Sequence, residues 1–395
     1  MIAPEPFFEP RGTPFSEYHR IRALADLGHS VDLVTYPFGR NVTLPGLKLH
    51  RSWRPPFVRR VKIGPSWAKV PLDALLALKA LHVAVKWRRE FGLVHSHEEG
   101  GAIGLVLAWG LGVPHLYDMH SSLPEQLSNF KFSSSSLLTG LFRTLERRLL
   151  TRSRVTIVIC KYLEDLARSI APDARVVLIE NAPGSGDASA VSGKDDVRAR
   201  HGVAAGAPLT LYTGTFEAYQ GLDLLFSAMR VVKASRPDAR LLLAGGHPDQ
   251  VERAQNEARR EGVDDVTVFA GERPSEEMPS YLAAADVLAS PRSRGKNTPL
   301  KIYQYLRAGR PIVATNLLTH TRVLDDQVAC LADPTPAAFG AALLRVIGDA
   351  AYAGRLSAAA AEMAATRYSY DAYLAKTRRA MDLLGDVRGT GGGPA

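Results

Sequence analysis

Apolar side chains recur at helical spacing near the start of the chain, at Phe15, Tyr18, Ile21, Leu24 and Leu27. Gly12-Thr13 opens that helix, Gly28 closes it, and Val31–Tyr36 then alternates as a strand does. Ahead of it, Met1–Pro4 reads as the tail of a first strand cut short, so either the start lies upstream or this edge of the sheet is poorly formed. Further strands are predicted at Leu93–His95, His115–Met119, Val155–Ile159 and Val176–Ile179, with a helix over Gly100–Gly112. The second half repeats the rhythm. Strands fall at Leu209–Thr213, Arg240–Ala244, Val266–Phe269, Asp286–Ser290, Ile312–Thr315 and Ala329–Ala332. A helix follows from Leu222, another is capped by Ser275 and runs through Ala285, and three helical stretches lead to Leu384. Such alternation predicts an α/β protein with parallel sheets.

A small, polar stretch, Gly184–Lys194, divides the pattern as a linker or exposed loop would. With 395 residues, 46% of them hydrophobic, the chain can bury two ordinary cores. Asp386–Ala395 is a Gly-rich tail expected to be disordered.

Between the strands Asp286–Ser290 and Ile312–Thr315 lies the stretch with most chemistry in it. Thr298 is placed as an N-cap and Pro299 as the first helical residue, while Gly309 and Pro311 end the helix. The loop before it carries Arg292, Arg294 and Lys296, and the first turn carries Lys301. Cations at a helix N-terminus oppose the macrodipole, by about 0.3–1 kcal/mol each when exposed. A bound anion reverses that sign, and ligands of open α/β sheets sit beyond the carboxyl ends of the strands. A diphosphate site is therefore expected here, against the simpler reading of a solvated basic loop.

The segment NTPLKIYQYLRAGRPIVAT resembles the donor-binding segment of family-4 retaining glycosyltransferases, which have the GT-B fold of two facing Rossmann-like domains. The Gly-loop and helix at Gly12-Thr13 and the stretch VHSHEEGGAIGLVLAWGLGVPHLYDMHSSLPE are similar to the same family, so the likeness covers most of the chain. It implies an acceptor domain over 1–182, a nucleotide-sugar domain over 183–368 and a helix over 369–385 returning to the first domain, with the tail 386–395 beyond it. It also implies transfer of a hexose from a nucleoside-diphosphate sugar with retention, phosphate contacts from Gly12, Gly214, Arg294, Lys296 and Lys301 with helper amides near Thr298, further donor-binding positions at Thr13, Thr215, Asn297 and Pro299, a ribose contact from Gln304, and His120 nearest the sugar. The departures are specific. Where the family has two glutamates, this chain has Lys296 (or Arg294) and Gln304; where it has an arginine and a lysine after the second-domain strand, this chain has Thr215 and Gln220. Positive charge is read as having moved to the facing loop, keeping electrostatic stabilisation of the leaving diphosphate. No buried carboxylate pair of the glycosidase kind is evident, so front-face substitution is expected.

Composition narrows the surroundings. A net charge of +9 and a pI near 9.5 point to acidic partners. Cys160 and Cys330 supply neither a disulfide framework nor metal-ligand spacing. His95, His97, Glu98 and Glu99 gather potential ligands, but no second cluster completes a site, so no metal or other cofactor is expected. MIAPEPFFEPRG lacks the regions of a signal peptide and no run approaches the ~20 apolar residues of a membrane span, which leads to a cytoplasmic protein. Segments 51–67 and 130–154 are basic, aromatic or leucine-rich, and make an anionic membrane surface a candidate partner at its inner face, against the alternative of a core-facing helix with a solvated basic side. The rival functions are a nucleotide-sugar epimerase of the same fold and a non-catalytic polyanion binder. GxGxxG is absent, and no nucleic-acid partner is expected.

Overall fold

Short apolar runs alternating with helices build two separate parallel sheets in the computed structural model of the chain, which describes residues 1–8, 12–56, 58, 69–129, 136–180, 194–295 and 297–385. Two compact units result: Met1–Ala182 with Tyr370–Ala395, and Pro183–Ser369. Lys296, residues 181–193 (all of the expected linker Gly184–Lys194 but Lys194, which begins a helix), most of 57–68 and the tail 386–395 lie outside the described residues.

In the first unit the elements are β1 (Ile2–Ala3), α1 (Gly12–Asp26), β2 (Val31–Thr35), β3 (Leu47–Arg51), α2 (Lys69–Lys86) and β4 (Val94–His97). They continue with α3 (Gly100–Leu111), β5 (His115–Met119), α4 (Leu123–Asn129), α5 (Ser136–Arg152), β6 (Val155–Val158), α6 (Lys161–Ile170) and β7 (Val176–Leu178). The sheet order is β3-β2-β1-β4-β5-β6-β7. β1 is thus an interior strand, not an edge: Ile2 pairs with Val34 on one side and Ser96 on the other. β3 was not legible in the basic, aromatic stretch that follows it. Its Arg51 guanidinium turns inward and donates to the carbonyls of Tyr36 and Phe7, so this cation staples loops rather than facing a partner.

The second unit contains α7 (Lys194–Arg200), β8 (Leu209–Thr213), α8 (Leu222–Ser235), β9 (Arg240–Ala244), α9 (Pro248–Arg260) and β10 (Thr267–Gly271). It goes on through α10 (Met278–Ala284), β11 (Val287–Ser290), α11 (Lys301–Ala308), β12 (Ile312–Thr315), α12 (Leu318–Thr321), β13 (Cys330–Ala332), α13 (Pro336–Gly348) and α14 (Ala350–Thr366). Its order is β10-β9-β8-β11-β12-β13, and the buried leucines and valines of β8, β9 and β11 pack helices on both faces, as parallel strands require. Ser275 opens only a single tight turn, and α10 begins at Met278.

α15 (Tyr370–Gly385) belongs to the first unit. There Tyr373, Ala380 and Leu384 pack beside Ala23 of α1 and the apolar residues of β5–β7. α2, α3, α5 and α6 cover the opposite face of that sheet. Among the described residues no helix is long and apolar enough to cross a membrane.

Candidate active site

Each sheet reverses its strand order once, at β1/β4 in the first unit and β8/β11 in the second, and crevices at such points take ligands in open α/β sheets. The candidate residues gather at both.

In the second unit β8 ends at Thr213, and Gly214, at φ 129°, turns the chain away. Only glycine fits the neighbouring turns. A Cβ at Gly245 would come within 2.0 Å of the Gly214 carbonyl oxygen, and one at Gly221 within 2.1 Å of that of Pro291. Ser293 N–H donates to Tyr219 C=O at 3.1 Å, so the loops after β8 and β11 are joined backbone to backbone. Lys301 rises from the start of α11 into this junction. Its Nζ lies 3.7 Å from the centre of the Tyr212 ring, donates to Thr213 C=O at 3.2 Å and would be 3.8 Å from a Cβ on Gly214. The side chain is buried, and among the described residues no carboxylate lies within ion-pair distance of it. Burial, reinforced by Arg292, pushes its pKa well below 10.5. A desolvated ammonium held by a carbonyl and a ring face is short of an anion.

The other cations differ from the sequence expectation. Arg294 is exposed, whereas Arg292 is drawn in: its guanidinium lies over the Tyr219 ring at 5.0 Å and donates to Arg294 C=O and Asn297 C=O at 2.9 and 3.0 Å. Arg292 therefore shapes the loop, a role the charge run did not reveal. Thr298 does not cap the helix. α11 starts at Lys301, and the Thr298 hydroxyl is buried with no hydrogen bond among the described residues. Pro299 precedes the helix instead of opening it, its carbonyl accepting from Ile302 N–H. Gly309, at φ 59°, ends the helix as expected. Asn297 C=O accepts from Thr319, Thr215 C=O accepts from Tyr212 at 2.7 Å, and Gln304 lies on the exposed side of α11. Behind the loop a fully buried His320 bridges Ser290 and Thr315 at 2.8 and 2.9 Å, and burial brings its pKa down to about 3, so it is a neutral strut.

In the first unit Gly12 and Thr13 begin α1 at the carboxyl edge of the sheet. β4 runs to His97, two residues beyond the expected end, and registers His97 opposite Asp118 of β5. Alternation then puts His95, His97, Asp118 and His120 on one face, beneath Glu17 and Arg20 of α1. Asp118 is the hub: its oxygens lie 3.2 Å from Arg20 Nε, 3.1 Å from His120 Nε2 and 3.4 Å from His95 Nε2. Burial alone would raise its pKa, but Arg20, His120 and His97 outweigh that and hold it well below the usual carboxylate range. Burial alone would lower that of His120, and Asp118 more than reverses this, favouring the imidazolium.

Buried carboxyl groups do occur, contrary to expectation. Burial, and then Glu5 beside it, raise the pKa of Glu17 well above the usual carboxylate range, and Asp118 is bound to Arg20, so neither is a ready nucleophile. Nor do His95 and His97 stand alone. An oxygen of Asp118 joins their ring nitrogens within 4.8 Å, yet Arg20 already compensates that carboxylate, and burial lowers the pKa of both imidazoles, favouring their neutral forms. Glu98, next in the chain, adopts φ 47°, strained for a residue with a side chain. Ser121 donates to its carboxylate at 2.8 Å, Gln126 donates as well, and burial lifts its pKa to about 7.

Two family models match the chain. The one described as Glycosyl transferase 4-like domain matches residues 18–182, and the one described as Glycosyl transferases group 1 matches residues 207–349. The chain belongs to the group 1 glycosyltransferases. Its GT-B fold is shared with a sucrose-phosphate synthase from Thermosynechococcus elongatus, at TM-score 0.77 and 20% identity over 98% of both chains. It is shared too with Anabaena HepE in complex with UDP-glucose, at TM-score 0.74 and 15% identity over 98% of this chain and 99% of that one. Among curated relatives, a phosphatidyl-myo-inositol mannosyltransferase of Mycolicibacterium smegmatis is 24% identical over 90% of this chain and 87% of its own length. For a group 1 glycosyltransferase the epimerase and polyanion-binder readings are not favoured.

Proposed function

We propose that this glycosyltransferase moves a hexose from a nucleoside-diphosphate sugar to an acceptor with retention at the anomeric carbon. One observation carries the reading: the buried, carboxylate-free ammonium of Lys301 beside Gly214 at the strand-order reversal of the second unit. A diphosphate there would take Lys301 as its counterion and the Gly214–Thr215 turn and the Asn297–Pro299 approach to α11 as its walls, with Arg294 at the mouth. Gln304 is assigned to the ribose as a neutral hydrogen-bonding group. His120, its pKa raised by Asp118 against the effect of burial, is assigned to the sugar.

The protein's contribution is then orientation and charge. Lys301 stabilises the diphosphate oxygen as the glycosidic bond breaks, and that oxygen takes the acceptor proton on the same face. This reading requires no metal ion. That HepE is known with UDP-glucose, and that a relative is named for mannosyl transfer, supports a nucleotide-sugar donor.

A thermal-shift panel of UDP-, GDP- and dTDP-sugars tests it. One donor raises the melting temperature at millimolar concentration, and Lys301→Ala abolishes that shift. No shift with any donor, or an unchanged shift in Lys301→Ala, would defeat the assignment. NMR of the product's anomeric configuration decides retention.

A further inference from the structure

Helices α2, α3 and α5 lie side by side on one face of the first unit and are unusually apolar on the side away from the sheet. On α2, Val70, Leu78, Leu81 and Val85 form an exposed stripe at helical spacing, opposite the buried Leu72, Leu76, Ala80 and Val83. α3 contains no charged or polar side chain at all, and exposes Val106 and, at 85%, Trp109. α5 exposes Leu137 and Leu141 in its first turns. An apolar surface on this scale is not left to water without a partner.

Its charge is one-sided. Lys86, Arg143, Arg147, Arg148 and Arg152 of these helices are exposed. Their two acids face inward: Asp73 accepts from Tyr36, and Glu146 accepts from Leu123 N–H at 2.8 Å. Arg147 and Arg152 line the same cleft as Val106 and Trp109. We propose that this face docks on an anionic phospholipid bilayer, with Trp109, Leu81 and Val85 entering the interface and the arginines of α5 meeting the headgroups. A second copy is the poorer occupant, because a two-fold contact would set the arginines of one α5 against those of the other. The basic segment 51–67 is not the docking device in this proposal. Arg51 is spent on backbone carbonyls, and the apolar contribution comes from α2 and α3.

The proposal is independent of donor identity, and flotation of the full chain with vesicles tests it. Binding is expected to phosphatidylcholine vesicles containing about one-third phosphatidylglycerol, and to be much weaker with phosphatidylcholine alone. Arg147→Glu and Arg148→Glu should each lower partitioning roughly fivefold or more, and the double variant Trp109→Ser/Leu81→Ser about tenfold. Unchanged donor-induced thermal shifts would certify that these surface variants are folded. Failure of the unaltered chain to float with anionic vesicles would overturn the proposal. So would unchanged binding by both sets of variants, or a concentration-dependent dimer that Trp109→Ser/Leu81→Ser dissolves.

Discussion

Thr377 Oγ1 accepts a hydrogen bond from Arg20 Nη1 at 3.2 Å, although 357 residues separate the two. The same guanidinium reaches Asp118 through Nε and lies 5.0 Å from the Tyr373 ring centre, so the last helix holds Arg20, Arg20 holds Asp118, and Asp118 holds His120. Arg20→Met would strand a buried carboxylate, and unfolding free energy should fall by about 3–5 kcal/mol in chemical denaturation. Asp118→Asn should lower the pKa of His120, read by NMR titration of its imidazole. A His120 titration unmoved by that change would remove Asp118 from the arrangement.

Lys301→Met should separate binding from stability. In the unliganded protein the ammonium is buried with no carboxylate beside it among the described residues, so a similar-sized apolar side chain should raise stability by about 1–3 kcal/mol while donor affinity falls. The folded-state pKa lies below 10.5, so the folded protein binds fewer protons than the unfolded chain between the two values. Unliganded stability should accordingly climb with pH across that window in the wild type and not in Lys301→Met. Urea melts with and without donor would read both effects.

Gly221→Ala tests the backbone junction. At φ 77° and with the Pro291 carbonyl in the way, the change should cost about 2 kcal/mol or more and weaken donor binding, whereas Gly262→Ala, at a similar φ with open space around it, should cost only the backbone strain. Equal losses at the two glycines would show that the loop contact carries no weight.

His320 makes acid stability asymmetric. Its folded pKa of about 3 lies below the ordinary 6.5, so the unfolded chain binds the extra proton first. Its contribution is complete above about pH 6.5 and is lost as pH falls toward 3, by roughly 3–5 kcal/mol at the limit. Denaturation at pH 7.5 and pH 5 should show this slope, and His320→Gln should flatten it.

Periodicity sufficed for the two parallel sheets because buried strands and amphipathic helices announce themselves locally. β3 escaped because Arg51 and His50 looked like surface charge, when their partners are carbonyls and an aspartate distant in sequence. Lys301 was legible from its place after a strand. Its cradle was not, since Lys301 meets Tyr212, Gly214 and Thr213, the last 88 residues earlier, only in three dimensions. For the same reason Arg292 was read as one cation among several, whereas the ring of Tyr219 and two carbonyls decide its role. The Asp118 hub needed cross-strand register, which no single run of residues contains.

That the helix Tyr370–Gly385, packed on the first sheet, is synthesised after the whole of the second unit has a consequence for biosynthesis. Residues 194–366 can finish their own sheet while Arg20 and Asp118 still wait for Thr377 and Tyr373, on the order of tens of seconds at ordinary translation rates. Of the two units, the one begun first is therefore completed second, and a nascent chain stalled before Tyr370 should present a protease-sensitive first unit and a resistant second one.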